Sequence, residues 1–380
     1  MPEISKLYLG EEHFEAVKRN SSAQWLFTAE DSIEQHALSF GELGNALLVA
    51  LRENNVVADV KYVLSASRAP FQAVYLPARA LYVVVSDVNA CVDLISLCAK
   101  STMLSHVATM LETKPVAPSG VYTGLSLVEI CRLFMSDEET QYGDVVAGRM
   151  VFTSALMYAF GHELAHIFNG HLALQSDPKF ASINPDQGQE YLTQRTLEIN
   201  ADRFGAGWAF EVGENMLKQM LIKVYADLDS HERTRVAFAH RVRYIVGVFI
   251  ASLYSDARLE NHFSPRYPRS YQRFIVALRE LRDSIAHYDR SARNLPEHVR
   301  EVLARSFAEI AGNIDNLRHP LARNAIWIAG EGDVRQDYLE SAAEVTIKSL
   351  EPAERRWTVL LPHLSQHRIG RPLSESLIPR

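Results

Sequence analysis

The chain has 380 residues, 47% apolar and 22% charged, with 39 basic against 46 acidic side chains and a net charge of −7. That length suits two domains or one large one with a sizeable buried core, and the composition excludes collagen-like, low-complexity and wholly disordered proteins. The slightly acidic balance, spread along the chain, argues against a general nucleic-acid binder, so no nucleic-acid partner is expected.

The first residues carry an acid, Glu3, and no long apolar run, so they do not read as a secretory signal. Residues 42–53 read as an amphipathic helix. Residues 59–65, 71–76 and 80–86 are short, rich in Val and Tyr, and separated by turn residues, which predicts strands. Residues 88–99 look helical again. Cys91, Cys98 and Cys131 form no Cys-x-x-Cys unit and read as small core residues in a reducing compartment. Residues 114–120, with Pro115 and Pro118, are the best linker candidate, and 136–143 form a polar segment.

Beyond residue 145 the period becomes helical, over 145–169, 191–210, 232–254, 270–287, 297–317 and 337–350, with a loop at 176–188. The expected fold class is α+β, mostly α-helical. Residues 1–135 would form a smaller N-terminal α/β portion for recognition or regulation, and 136–380 a helical catalytic domain. The most apolar stretches, 151–160 and 244–254, are about half the length that spans a bilayer. No membrane is expected, and the protein reads as cytoplasmic.

The informative segment is Gly161-His162-Glu163-Leu164-Ala165-His166. On a helix, residues four apart share a face, so His162 and His166 can present both imidazoles to one metal ion, usually Zn2+. Glu163 sits one step round, placed to act as the base toward a water that the metal activates. A hydrolytic zinc site needs a third protein ligand and keeps a position open. Glu198, on the next predicted helix, can complete a His-His-Glu set. Asp202, one turn on, can accept a hydrogen bond from the non-ligating nitrogen of a zinc histidine. Leu197, Ala201, Phe204 and Trp208 form the adjacent core stripe, and Gly205 and Gly207 would allow close approach to the first helix. Asn169 lies on the ligand face, Gly170 suits a left-handed helix end, and His171 just beyond it reads equally as a donor or substrate contact and as a solvated histidine past a helix end.

His162–His166, Ile167-Phe168-Asn169-Gly170-His171 and Glu198-Ile199-Asn200-Ala201-Asp202 together resemble the gluzincin metallopeptidases, with His-Glu-x-x-His followed by Glu-x-x-x-Asp. Within that group the chain is most similar to the Lit-type phage-exclusion peptidases of bacteria. It is also similar to the HtpX-type and prenyl-protein peptidases, which carry transmembrane helices. The resemblance covers about residues 145–207. It implies a zincin-like catalytic core, zinc on His162, His166 and Glu198, Glu163 as catalytic base, Asp202 supporting a ligand, and a bacterial defence role unleashed by a regulatory partner or activator. The membrane-bound relatives carry a downstream His-Pro and Arg. Here Tyr267-Pro268 precedes Arg273, so Tyr267, His262 and Arg273 are the candidates for stabilising the oxyanion, with residues 318–323 a weaker alternative.

The substrate expected is a protein or peptide. A sensor or interaction protein with structural zinc, perhaps with His171 as fourth ligand, is the competing reading, and a metal hydrolase acting on a non-peptide substrate is a third. The basic stretches 240–243 and 266–273 read as solvated faces, and Tyr271, Phe274 and Leu278 as helix core.

Overall fold

A computed structural model describes residues 9–21, 23–27, 44, 46–67, 71–87, 94, 98, 143–184, 187–223, 226–258, 268, 270–296, 299–300 and 336–377. The fold is α+β and mostly helical. In chain order come α1 (Glu11–Asn20), β1 (Ala23–Phe27), β2 (Asp59–Ser67), β3 (Phe71–Leu76) and β4 (Leu81–Asp87). The helical part follows as α2 (Gly143–Phe168), α3 (His171–Ser176), α4 (Phe180–Ile183), α5 (Gln187–Lys223), α6 (Ser230–Arg258), α7 (Ser270–Tyr288) and α8 (Gln336–His367).

The strands form one sheet in the order β1-β2-β4-β3. The central pair β2–β4 is parallel, and both outer pairs are antiparallel. Side chains alternate across a sheet. Val60, Tyr62, Leu64, Phe71, Ala73, Tyr82 and Val84 join the main core with α2, α6 and α7, whereas Val63, Val74, Leu76, Leu81, Val83 and Val85 pack with Leu9 and Val17 on the α1 side. Cover on both faces explains why β4 is buried along its whole length and reads as a nearly continuous apolar run. It leaves β3 as a sheet edge against α2.

The long helices α2, α5, α6 and α7 pack around that core. The α2–α5 crossing is close because Gly205 faces the backbone of α2: a Cβ there would lie 2.8 Å from His162 N and 2.9 Å from Tyr158 O. Gly207 has another role, since its Cβ would meet Glu280 of α7 rather than α2. A second apolar cluster joins Trp357, Leu360 and Leu364 of α8 to Leu174, Leu197, Ile199 and Val276. Arg356 fastens α8 by donating to Thr193 Oγ1, Ile183 O and Asn184 Oδ1 at 2.6–2.7 Å. The chain after α8 turns back over α2, where Ile369 N–H and Gly370 N–H both donate to Phe168 O, at 2.9 and 3.0 Å.

Several elements run longer than the sequence pattern predicts. α5 continues to Lys223, and α8 runs through Pro352 and Pro362 to His367. The 176–188 loop contains α4, and α5 begins inside it. α1 and β1 have no counterpart among the predicted elements. The basic stretch at 240–243 is no solvated face: Arg241 is buried in ion pairs with Glu214 and Asp289. Phe274 and Leu278 are core, and Cys98 is buried and free. Cys91, Cys131, the 114–120 linker and almost all of the 297–317 helix lie outside the described residues, as does the expected domain boundary at 135/136. Among the described residues no helix is long and apolar enough to cross a membrane.

Candidate metal centre

α2 places His162 and His166 one turn apart, and α5 brings Glu198 opposite them. Ligand atoms of the three lie within 4.8 Å of one another, and all three residues are buried. The two Nε2 atoms are 3.2 Å apart. Glu198 Oε2 lies 3.2 Å from His162 Nε2, and its Oε1 3.7 Å from His166 Nε2. Gln194, one turn before on α5, donates to Glu198 Oε1 at 2.9 Å. The acidic residues Glu198 and Asp202 therefore face inward and form no solvated stripe.

Asp202 is fully buried and collects three partners. It lies 2.9 Å from His162 Nδ1, accepts the Tyr158 hydroxyl at 3.0 Å, and pairs with Arg273 through Nε at 3.0 Å and a terminal nitrogen at 2.7 Å. Arg273 comes from α7 and is itself buried, and the same terminal nitrogen comes within 3.2 Å of His162 Nδ1. That nitrogen also lies 3.4 Å from His162 Nε2 and 4.0 Å from Glu198 Oε2, so the guanidinium adjoins the donor cluster as well as Asp202. Tyr267 and His262, the other oxyanion candidates, lie outside the described residues, and so does 318–323.

Electrostatics follow from burial and pairing. Burial opposes charge on His162, but the Asp202 carboxylate outweighs it and lifts the imidazole pKa to about 9. Burial also opposes the Glu198 charge, yet His166, His162 and Arg273 hold its pKa below the usual carboxylate range. Asp202 is lowered too, chiefly by Arg273 and His162 acting against burial. Burial and the neighbouring His166 push His171 well below the ordinary histidine value.

Glu163 follows His162 on α2, lies close enough to His166 to act on its charge, and also reaches the sheet. Its Oε2 accepts the backbone N–H of Ala73 on the β3 edge, at 2.7 Å. Asn169 and His171 are both buried. His171 Nδ1 lies 3.0 Å from His166 Nδ1, and Asn169 donates to Asn200 Oδ1 at 2.7 Å. Gly170 between them takes φ 81°, the left-handed conformation its position calls for.

Sequence reasoning left out Tyr158, Gln194, Asn200 and Ala73. Tyr158 stands four residues before His162, so helical spacing already puts it on the ligand face. Gln194 bears the same relation to Glu198. Asn200 shares no face with Glu198 and Asp202, and Ala73 contributes only its backbone, so neither leaves a pattern in the sequence.

Two imidazoles and a carboxylate are a donor set suited to zinc, and three protein ligands leave a position for a reactant. The partner on His162 Nδ1 leaves Nε2 turned to the other donors. The residues present thus fit a zinc-type ion. No curated protein and no solved structure matches the chain. Residues 131–289, the segment that spans α2, α5, α6 and α7 and holds every side chain of the donor cluster, match the family model described as Peptidase U49, a likeness that points to peptidase activity.

Proposed function

We propose that the protein is a zinc-dependent endopeptidase of the gluzincin type, hydrolysing a peptide bond in a protein substrate. The observation that carries this reading is the convergence of His162, His166 and Glu198, with Glu163 beside them, inside the peptidase-like segment. When bound, the ion polarises the scissile carbonyl and lowers the pKa of the attacking water. Glu163 takes that water's proton and passes it to the leaving amine. The Ala73 amide holds Oε2 of Glu163 and so fixes the carboxylate, leaving Oε1 for proton transfer. Asp202, steadied by Arg273 and Tyr158, keeps the His162 ring aligned. Tyr267 is our candidate for stabilising the oxyanion.

The likeness to Lit-type peptidases supports a cytoplasmic role in bacterial anti-phage defence, with an activator releasing the activity and residues 1–135 serving recognition or regulation; this part rests on analogy. The competing structural-zinc reading needs a fourth protein ligand. His171, its natural candidate, stands on the far side of the His166 ring from Glu198.

The test is metal analysis of the purified chain. About one zinc per chain is expected, lost in His162→Ala, His166→Ala and Glu198→Ala, because a three-ligand site tolerates little loss. Full zinc occupancy in all three variants would sink the assignment.

A further inference from the structure

The two histidines of the cluster have unlike supports. His162 is backed by a carboxylate, the common arrangement for a metal-ligating histidine. Behind His166 stands a second imidazole, His171, which is fully buried. The left-handed Gly170 starts α3 immediately after α2, and the His171 ring meets that of His166 edge-on, with centroids 5.0 Å apart.

Each nitrogen of His171 has one partner: Nδ1 faces His166 Nδ1 at 3.0 Å, and Nε2 faces Asn200 Oδ1 at 3.0 Å. Asn200 Oδ1 also accepts from Asn169 Nδ2 at 2.7 Å. A neutral imidazole has one donor and one acceptor nitrogen. An amide oxygen only accepts, so His171 carries its proton on Nε2. Its Nδ1 is then bare and must accept from His166 Nδ1–H. His166 is thereby left with a lone pair on Nε2, the atom that faces His162 and Glu198. The two ends of the chain agree, since the reversed direction would put a proton on the one nitrogen that has to coordinate. Asn169 and Asn200 also line a cavity of about 240 Å³ with a mixed polar and apolar lining, where water can satisfy their remaining groups.

We infer that His171 is a positioning residue for the metal: it accepts the Nδ1 proton of His166 and is held by Asn200 and Asn169, so that a chain of neutral hydrogen bonds aims the His166 lone pair at the ligand cluster. The inference rests on the metal reading proposed above. It assigns the support of His166 to uncharged groups, where another carboxylate would stand in a buried site that already holds Glu198 and Asp202.

The test uses the full chain, with zinc as the probe and a competing chelator. His171→Leu, which fills the space without an acceptor, should weaken zinc binding by about 10–100-fold. His171→Asn, whose amide oxygen can stand where Nδ1 stands, should recover most of that loss. A side chain that only packs would give the opposite order, with Leu the better substitute. Nitrogen-15 NMR of the zinc-loaded wild type needs no variant and should show His171 protonated on Nε2 and bare on Nδ1. Wild-type zinc affinity in His171→Leu, or a proton on Nδ1 of His171, would overturn the inference. If His162→Ala nevertheless loses zinc, the metal reading survives that failure. If wild type and His162→Ala bind zinc alike, the metal reading falls and takes the inference with it.

Discussion

Among the described residues, Arg241 and Arg273 are both buried and each pairs with carboxylates, in networks built from the same groups. Near the far end of α5, Arg241 donates to both oxygens of Glu214, at 2.8 and 3.1 Å, and to Asp289 at 3.0 Å. Arg241 meets both carboxylates there, and among the described residues that network contributes to no group of three or more His, Cys, Asp or Glu side chains placed to share a metal ion. Around Asp202 the pairing with Arg273 is as tight, yet the same carboxylate also holds His162 and Tyr158. Glu198 faces two imidazoles and lies 4.0 Å from the nearest Arg273 nitrogen. Burial and ion pairing alone therefore do not mark a functional site. What separates the two is a carboxylate and two ring nitrogens converging on one point.

Substitutions can break this comparison. The largest expected effect is Arg273→Met, which leaves Asp202 buried without its cation. Unfolding titration should show a loss of about 3–5 kcal/mol, the usual cost of breaking a buried pair, and zinc affinity should fall at least about tenfold because His162 loses its fixed partner. Arg241→Met should cost a similar amount of stability, about 3–5 kcal/mol, while the folded protein binds zinc as the wild type does. A comparable loss of zinc affinity in both variants would erase the distinction drawn here.

Smaller changes sharpen it. Gly205→Ala puts a methyl against the backbone of His162 and Tyr158, and overpacking of this kind costs about 1–3 kcal/mol. Thermal unfolding and chelator competition should both register it, because the displaced backbone belongs to a ligand. Tyr158→Phe removes one donor from Asp202. Hydrogen bonds to charged groups contribute about 1.5–3 kcal/mol, so denaturant unfolding should shift by that order with zinc still bound. The smallest effect belongs to the exposed pair Arg355–Glu351: Arg355→Ala should leave stability within about 1 kcal/mol and metal binding untouched.

Much of the candidate metal centre was legible because a helix converts spacing into direction. His162, His166, Glu198 and Asp202 face one another as their four-residue intervals require. β2, β3 and β4 were legible because burial on both faces leaves short Val- and Tyr-rich runs, which β1 lacks. Where local pattern and tertiary packing disagree, sequence reasoning fell short. α8 passes Pro352, which by itself predicts a break, because Trp357, Leu360 and Leu364 beyond it are buried against α3, α5 and α7. α1 is only ten residues long and its apolar side is just Phe14, Ala16 and Val17, too short a stripe to stand out among charged neighbours. The polar, glycine-bearing run Glu211-Val212-Gly213-Glu214-Asn215 hid the last turns of α5. His171 looked as much like a solvated residue past a helix end as a partner of the site. Its burial depends on Asn200 from α5 and on the segment that returns over Phe168 and Gly170 from the end of α8, contacts with no trace in local sequence. The Ala73 amide, which holds Glu163, is invisible to side-chain motifs for the same reason.

The central claim, that this buried cluster is a catalytic peptidase site, is tested most directly by Glu163→Gln. The change keeps the size of the side chain and an acceptor for the Ala73 amide, and removes only the base. Zinc content, far-UV circular dichroism and cleavage of an unstructured protein such as casein, or of the natural target once activated, should be measured together on variant and wild type. The account predicts unchanged zinc and fold with cleavage reduced at least about 10²-fold, the usual minimum for losing a positioned general base. Undiminished cleavage by a zinc-loaded Glu163→Gln protein would contradict it.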